Sequence, residues 1–140
     1  MKIPVTISLR SEQLLNGEKD HFEQQTDGTL ILLDGEAQLL YQERGDGEAD
    51  HSTVTLSLRP DSAQMSRSGA VTTEMLFVPG EKRSGTYFTP YGGIDLSVST
   101  EYYRCDLSET GGKAMIRYSL EMDHHSTGSY TLKFNIKKKG

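Results

Sequence analysis

Apolar and polar residues alternate along most of this chain, and this alternation limits its fold more than any other feature. The segments that share it are 3–9, 51–58, 94–100, 113–122 and 129–137. Because successive side chains of a strand point to opposite faces, a period of two predicts half-buried β-strands. The best helical segment, 11–20, is short and carries Asn16-Gly17 in its middle. We therefore expect almost no helix.

Turn signals rich in glycine, proline or polar residues separate the alternating segments. They are Asp34-Gly35, Arg59-Pro60-Asp61, Pro79-Gly80, Pro90-Tyr91-Gly92-Gly93, Gly111-Gly112 and His124-His125-Ser126. Short connections join antiparallel neighbours, and about 8 to 10 such strands form either a sandwich or a closed barrel. A meander leaves unpaired edges unless it closes, which favours the barrel. We predict one all-β domain over residues 1–140, an antiparallel up-and-down meander barrel.

Composition excludes several classes of partner. The chain has 140 residues, a net charge of -5 and a pI near 5.3. Binding to a phosphate backbone needs a basic face, so we expect no nucleic-acid partner. No apolar run approaches the roughly 18 residues of a membrane helix, and the single cysteine excludes an internal disulfide. We expect a soluble protein of the reducing cytoplasm, with no membrane partner.

Two hairpins have turn chemistry that predicts their register. Asp34-Gly35 suits a two-residue type I′ turn, which pairs Leu32 with Ala37 and Leu30 with Leu39. At the C-terminal end, an odd loop keeps the apolar residues on one face. A three-residue loop over 124–126 pairs three sets of residues: Leu120 with Tyr130, Tyr118 with Leu132, and Ile116 with Phe134.

The hairpin around Pro90 leads to the candidate site. A three-residue loop, Pro90 to Gly92, with a glycine bulge pairs Phe88 with Ile94 and Thr86 with Leu96. Ser84, Thr86 and Phe88 then face the interior. Buried hydroxyls need polar neighbours, water or a ligand group. Tyr87 and Tyr91 fall on the outer surface in this register.

Other reactive residue types have simpler interpretations. No nucleophile elbow, phosphate loop, dinucleotide fingerprint or zinc-type spacing is present. Asp123-His124-His125 resembles a metal cluster, but adjacent histidines in a turn point apart, so we interpret it as a solvated turn. Arg44-Gly45-Asp46 spells an adhesion tripeptide, which we interpret as coincidence in an exposed turn.

Cys105 alternates with Tyr103 and Leu107, so we interpret it as a packing residue. Arg104 then faces outward. A one-residue slip would turn Arg104 inward, where it could anchor a carboxylate, and this alternative stays open.

Several segments together resemble the YwiB-like family of small Gram-positive bacterial proteins. They are "DGTLILLDGEAQLLYQE", "HSTVTLSL", "SGAVTTEMLF", "GTYFTPYGGIDLSVST" and "RYSLEMDHHSTGSYTLKFNIKK", within residues 2–138. The segments "SEQLLNGEKDHF" and "ERGDGEADH" depart from the family pattern. The resemblance implies a calycin-like barrel of the lipocalin or streptavidin type. It implies no catalytic residue, because the family has no established activity, and by analogy it implies a small apolar ligand inside the barrel.

Three functions remain in competition at this level. The first is non-enzymatic binding of a small, mostly apolar ligand by interior residues, for which the candidates are Ser84, Thr86, Phe88, Tyr118 and Tyr130. The second is a filled-core structural or regulatory protein that contacts a protein partner or a second copy through Tyr87 and Tyr91. The third, an enzyme, has little support, because no inward carboxylate or histidine pair is predicted. We expect no catalytic residue, metal or cofactor.

Overall fold

The computed structural model describes residues 1–44, 51–69 and 71–140, and all regular structure in these residues is β-strand. The described strands are β1 (Lys2–Leu15), β2 (Glu18–Leu33), β3 (Glu36–Arg44), β4 (His51–Leu58), β5 (Ala63–Gly69), β6 (Thr72–Phe77), β7 (Lys82–Thr89), β8 (Gly92–Ser108), β9 (Gly111–Met122) and β10 (His125–Lys138). Within the same residues, no helix is long and apolar enough to cross a bilayer.

The sheet closes on itself. Each strand pairs antiparallel with its neighbours in sequence, and β1 pairs with both β2 and β10. The predicted all-β, up-and-down barrel is confirmed, with ten strands among the described residues. Closure matters because it gives the backbone groups of β1 a partner on each side, which an open meander cannot do.

The two ends of the barrel differ in their filling. One end, which we call the base, carries the turns Asp34–Gly35 and Glu109–Thr110; the other, the mouth, carries Asn16–Gly17, Pro90–Tyr91 and Asp123–His124. From the middle to the base the interior is filled by buried aliphatic and aromatic side chains: Val5, Ile7, Leu30, Leu39, Leu56, Phe77, Ile116 and Ile136. At the base, the hydroxyl of Tyr103 donates a hydrogen bond of 2.6 Å to the carbonyl oxygen of Arg59.

The predicted register at Asp34-Gly35 is confirmed. Leu32 lies opposite Ala37 and Leu30 opposite Leu39. The loop has two residues as predicted, but it is not the predicted type I′ turn, because only Gly35, with a φ of 75°, and not Asp34 has a positive φ.

The predicted register of the C-terminal hairpin is wrong by two residues. Tyr130 pairs with Tyr118, and Leu132 pairs with Ile116. The loop is a two-residue turn, since Asp123 and His124 have φ values of 49° and 66°, and a bulge follows between Ser126 and Gly128. The extra residue of the bulge restores the apolar face that a two-residue loop alone would split.

The predicted register of the β7–β8 hairpin is wrong by one residue. Tyr87 pairs with Ile94 and Phe88 with Gly93, so the loop is Pro90–Tyr91 alone. The Thr89 hydroxyl stabilises this tighter turn, because it accepts a hydrogen bond from the Tyr91 amide and donates one to the Gly92 carbonyl, both 3.1 Å.

That slip reverses the two faces of β7. Ser84, Thr86 and Phe88 are exposed on the outer face, and Tyr87 packs against the core. On the outside, the Phe88 ring lies so close to Gly93 that a Cβ atom there would be 3.0 Å from it. The ring therefore covers bare glycine backbone, which helps to explain why the aromatic pair adopts this register.

On β8, Cys105 packs against the core and Arg104 is exposed. The alternative in which a one-residue shift turns Arg104 inward is therefore wrong. Burial raises the pKa of the Cys105 thiol, which disfavours the reactive thiolate. Asp123 and His124 form the exposed turn of the last hairpin. Gly45 and Asp46 of the adhesion tripeptide lie outside the described residues.

Candidate functional site

A cavity of about 330 Å³ lies inside the mouth half of the barrel. Its volume is within the range of small-molecule sites. The aliphatic residues that line it include Leu9, Met65, Met75, Leu96, Leu120, Met122 and Leu132. The barrel therefore has a packed middle and a hollow mouth, so the filled-core and the cavity hypotheses each describe one part of it.

A row of polar side chains crosses one wall of the cavity. Register pairs Tyr41 with Val54, Val54 with Arg67, Arg67 with Thr73, and Thr73 with Tyr87. Four of these five residues, all except Val54, line the cavity. Neighbouring strands are about 4.8 Å apart, so the row extends over about four strand spacings around the barrel wall, from β3 to β7.

Glu43 and Arg67 form an ion pair at the cavity surface. The Arg67 Nη2 atom donates a hydrogen bond of 2.9 Å to the Glu43 Oε2 atom. Both side chains are mostly buried, with exposed fractions of 23% for Arg67 and 32% for Glu43. A pair this enclosed is less screened by solvent than the surface pairs of the barrel.

Three residues that line the cavity each have a buried polar atom without a hydrogen-bond partner in the described part of the chain. The atoms are the Tyr41 hydroxyl, the Thr73 Oγ1 atom and the Arg67 Nε atom. Tyr41 is only 4% exposed and Thr73 only 2%. Leaving a buried polar group unsatisfied costs about 1 to 3 kcal/mol. Buried polar groups are normally hydrogen-bonded, so a group from outside the chain, either a water molecule or part of a ligand, would account for these three atoms.

The facing wall is aromatic and aliphatic. The Tyr118 and Tyr130 rings stack with centroids 5.2 Å apart, and Tyr118 also packs on Phe77 at 4.9 Å. Thr127 donates its hydroxyl proton to the Leu120 carbonyl, so the 3.0 Å contact between Thr127 and Tyr130 has the tyrosine as donor. Toward the cavity, the Tyr130 hydroxyl can therefore only accept a hydrogen bond.

Burial keeps the two most enclosed tyrosines protonated. It is the main cause that raises the pKa of Tyr41 above its ordinary value; the nearby Glu43 carboxylate adds to this, and Arg67 opposes it. Burial likewise raises the pKa of Tyr118, with Arg67 again opposing and Tyr130 and Glu43 adding. Both hydroxyls therefore remain able to donate hydrogen bonds across the neutral pH range.

A larger depression of about 720 Å³ lies on the outer wall and differs in chemistry. Arg10 and Glu12 line it, and they bond to each other at 3.0 Å. The hydrogen bond from Arg10, with one from Lys133, lowers the pKa of Glu12. None of the buried polar atoms without a partner in the described part of the chain belongs to a residue that lines this depression.

Sequence reasoning placed only part of the cavity. Tyr118 and Tyr130 line it as predicted, and Tyr87, predicted outside, lines it too. Ser84 and Thr86 instead line a shallow depression on the outer face of the barrel. Tyr91 is 99% exposed at the tip of its hairpin.

The cavity residues that were missed include Tyr41, Glu43, Arg67 and Thr73. A signal for them was available in the sequence. The alternation of Ala37, Leu39 and Tyr41 extends to Glu43, just as that of Ala63 and Met65 extends to Arg67.

The fold and the site define a class: a closed antiparallel β-barrel that is packed in its middle and hollow at its mouth. Residues 7–134 match the family described as "Domain of unknown function (DUF1934)", and the chain belongs to that family. It is 27% identical over 119 residues to the "Uncharacterized beta-barrel protein YwiB" of Bacillus subtilis (strain 168), a match that covers 85% of this chain and 82% of that protein.

A solved structure has the same fold. The crystal structure of the ywiB protein from Bacillus subtilis superposes with a TM-score of 0.79 and 23% sequence identity. The match covers 96% of this chain and 92% of that one. The similarity to the YwiB-like family that the sequence indicated is confirmed.

Proposed function

We propose that this protein binds a small, mostly apolar molecule with a polar group in the mouth cavity, without transforming it. The observation that carries the proposal is that three residues of one cavity wall, Tyr41, Arg67 and Thr73, each have a buried polar atom without a partner among the described residues. Small-molecule sites combine apolar surface with a few oriented polar groups in this way. A ligand that bonded these atoms would recover free energy that the empty barrel lacks.

The state of Glu43 supports binding rather than catalysis. It lines the cavity, but its Oε2 atom accepts a hydrogen bond from Arg67. This hydrogen bond engages the carboxylate with a neighbouring side chain of the protein. The proposal therefore assigns Glu43 a positioning role toward Arg67.

A second candidate is a protein partner at the outer surface. One observation favours it: Phe88, 53% exposed, and Tyr91, 99% exposed, lie on one hairpin. Exposed aromatic residues are enriched in interfaces. The position of Phe88 on the outer face has another explanation, since its ring packs over the backbone of Gly93.

Filling the cavity should abolish binding. We expect the neutral fluorescent dye N-phenylnaphthylamine to bind the wild-type protein saturably at a single site. Leu120→Trp should remove that binding, because the larger ring occupies the space that Leu120 lines. Leu33→Trp is the matched control, since Leu33 is 50% exposed near the base. Equal dye binding by both variants, or none by the wild type, would reject the cavity as a site and favour the outer surface.

Removing the unpartnered hydroxyls should change stability and ligand binding in opposite directions. We expect Tyr41→Phe and Thr73→Val each to raise the free energy of unfolding of the empty protein by about 1 kcal/mol, since each deletes an unsatisfied buried group. The same variants should weaken binding of octanamide, measured by displacement of the dye.

Thr86→Val serves as the control on the outer face, where the same substitution removes an exposed hydroxyl. It should leave octanamide binding unchanged. If Tyr41→Phe and Thr73→Val lower stability and leave binding intact, these hydroxyls are structural and the proposal is wrong.

A further inference from the structure

The charge balance of the cavity is the starting point. Among the described residues that line it, the only charged side chains are Glu43 and Arg67, and they pair with each other. The cavity therefore carries no net charge when both are ionised. We infer that the site selects ligands whose polar group is uncharged, such as a primary amide or an alcohol, and discriminates against carboxylates. The inference rests on the proposed function of the same cavity.

Arg67 has one donor, its Nε–H group, that is both buried and without an acceptor among the described residues. Its Nη2 atom bonds to Glu43 and lies 3.9 Å from the sulfur of Met65, whereas its Nε atom is buried and has no partner among the described residues. The Nε–H group is a donor only. A ligand oxygen placed against it must therefore act as an acceptor, as a carbonyl or hydroxyl oxygen does.

The two hydroxyls beside Arg67 complete the recognition of such a group. Thr73 lies directly opposite Arg67 on the next strand, and Tyr41 lies two strands away in the same row. A hydroxyl both donates and accepts. An amide, which has one carbonyl oxygen and two N–H donors, can satisfy the Arg67 Nε–H group with its oxygen and a hydroxyl oxygen with its nitrogen.

A carboxylate fits this wall poorly for two reasons. Arg67 is already neutralised by Glu43, so an added anion would lie next to an existing carboxylate in an enclosed space. Like charges in a poorly screened site repel each other, and the anion would also lose its hydration on entry. A carboxylate accepts hydrogen bonds but donates none, so it cannot use the acceptor capacity of Tyr41 and Thr73.

The test compares three probes with the same chain length: octanamide, octanol and octanoate. Each displaces N-phenylnaphthylamine from the full-length protein at pH 7.5. In the wild type, we expect octanamide and octanol to bind about tenfold or more tightly than octanoate. A tenfold ratio corresponds to about 1.4 kcal/mol, the size of one unfavourable contact with a charged group. In Glu43→Gln, Arg67 keeps its charge without a counter-charge, and octanoate affinity should rise by about tenfold.

Glu121→Gln is the matched control. Glu121 pairs with Lys82 at 3.2 Å on the outer wall, so the same substitution removes an ion pair that does not face the cavity. It should leave the octanamide-to-octanoate ratio at the wild-type value. Unfolding curves confirm that both variants are folded before titration.

The outcomes distinguish the two proposals. If none of the three probes displaces the dye, the proposed function fails and this inference fails with it. If the probes bind but octanoate binds the wild type as tightly as octanamide, or Glu43→Gln leaves the ratio unchanged, the cavity is a site and the selection for uncharged groups is overturned.

Discussion

Gly112→Ala should destabilise the barrel by about 3 to 5 kcal/mol, measured as the free energy of unfolding in urea. Gly112 has a φ of 148°, which side chains rarely adopt, and a Cβ atom there would overlap the carbonyl oxygen of Asp106 on β8. Both problems involve backbone, so no side-chain rotation relieves them. Single domains have a total stability of only about 5 to 15 kcal/mol, so this one methyl group removes a large share of it.

Gly35→Ala separates the two causes. Gly35 also has a positive φ, 75°, but no atom would lie within 4 Å of an added Cβ. Gly35→Ala should lower the free energy of unfolding by about 1 to 2 kcal/mol, because only the backbone conformation is unfavourable for alanine. Similar losses in the two variants would mean that β8 and β9 do not approach each other as closely at Gly112 as the structure indicates.

Alkaline pH should unfold the protein steeply. Burial raises the pKa of Tyr41 and of Tyr118, while an unfolded tyrosine loses its proton near pH 10. Above that pH the native state holds protons that the unfolded state has released, so stability falls as pH rises. Each tyrosine contributes up to about 1.4 kcal/mol per pH unit, or about 3 kcal/mol for the pair. Below pH 10 these two residues contribute no slope.

Urea unfolding at pH 9, 10, 11 and 12, with tyrosinate absorbance recorded in parallel, checks this expectation. Lysines also titrate in this range, so the wild type is compared with the Tyr41→Phe/Tyr118→Phe double variant. The variant should lose the part of the slope that Tyr41 and Tyr118 contribute and keep the part from Tyr103, whose pKa burial also raises. Equal slopes in the two proteins, or tyrosinate absorbance from both residues before unfolding, would contradict the assigned burial.

The barrel could be predicted because its signals are local and repeated. Alternation of period two marks strands wherever one face is buried, and short turns force antiparallel neighbours. The register at Asp34-Gly35 was predicted correctly because the loop has two residues, although Asp34 lacks the positive φ of a type I′ turn. Closure itself has no local signal; it was inferred from the need to pair the edges.

The predicted register was wrong at the hairpins where both the turn type and the inward face of the strand were ambiguous in the sequence. Tyr87 and Phe88 are adjacent aromatic residues, so either face of β7 presents one of them to the core. Two glycines after Pro90 allow loops of two or three residues, and the hydrogen bonds of Thr89 favour the shorter one. In the last hairpin, a bulge before Gly128 compensated for an unexpected loop length, which a search for unbulged pairing cannot find.

The polar wall was missed for a different reason. Glu43 and Arg67 follow the last apolar residue of their strands, and charged residues at strand ends are usually solvated. Their burial depends on each other, through a 2.9 Å hydrogen bond between β3 and β5. Such a pair depends on which strands meet in space, and a single sequence does not reveal that before the barrel is assembled.

The pairing of β1 with β10 also determines when the barrel can be completed during synthesis. Residues 5–14 pair with 129–138, so the first strand to leave the ribosome waits for the last of the ten. Until β10 emerges, β1 and β9 each present an edge that can pair with another nascent chain. Contacts this distant in sequence also slow folding. Until β10 is available for pairing, the open edges of β1 and β9 are therefore sites at which aggregation can begin.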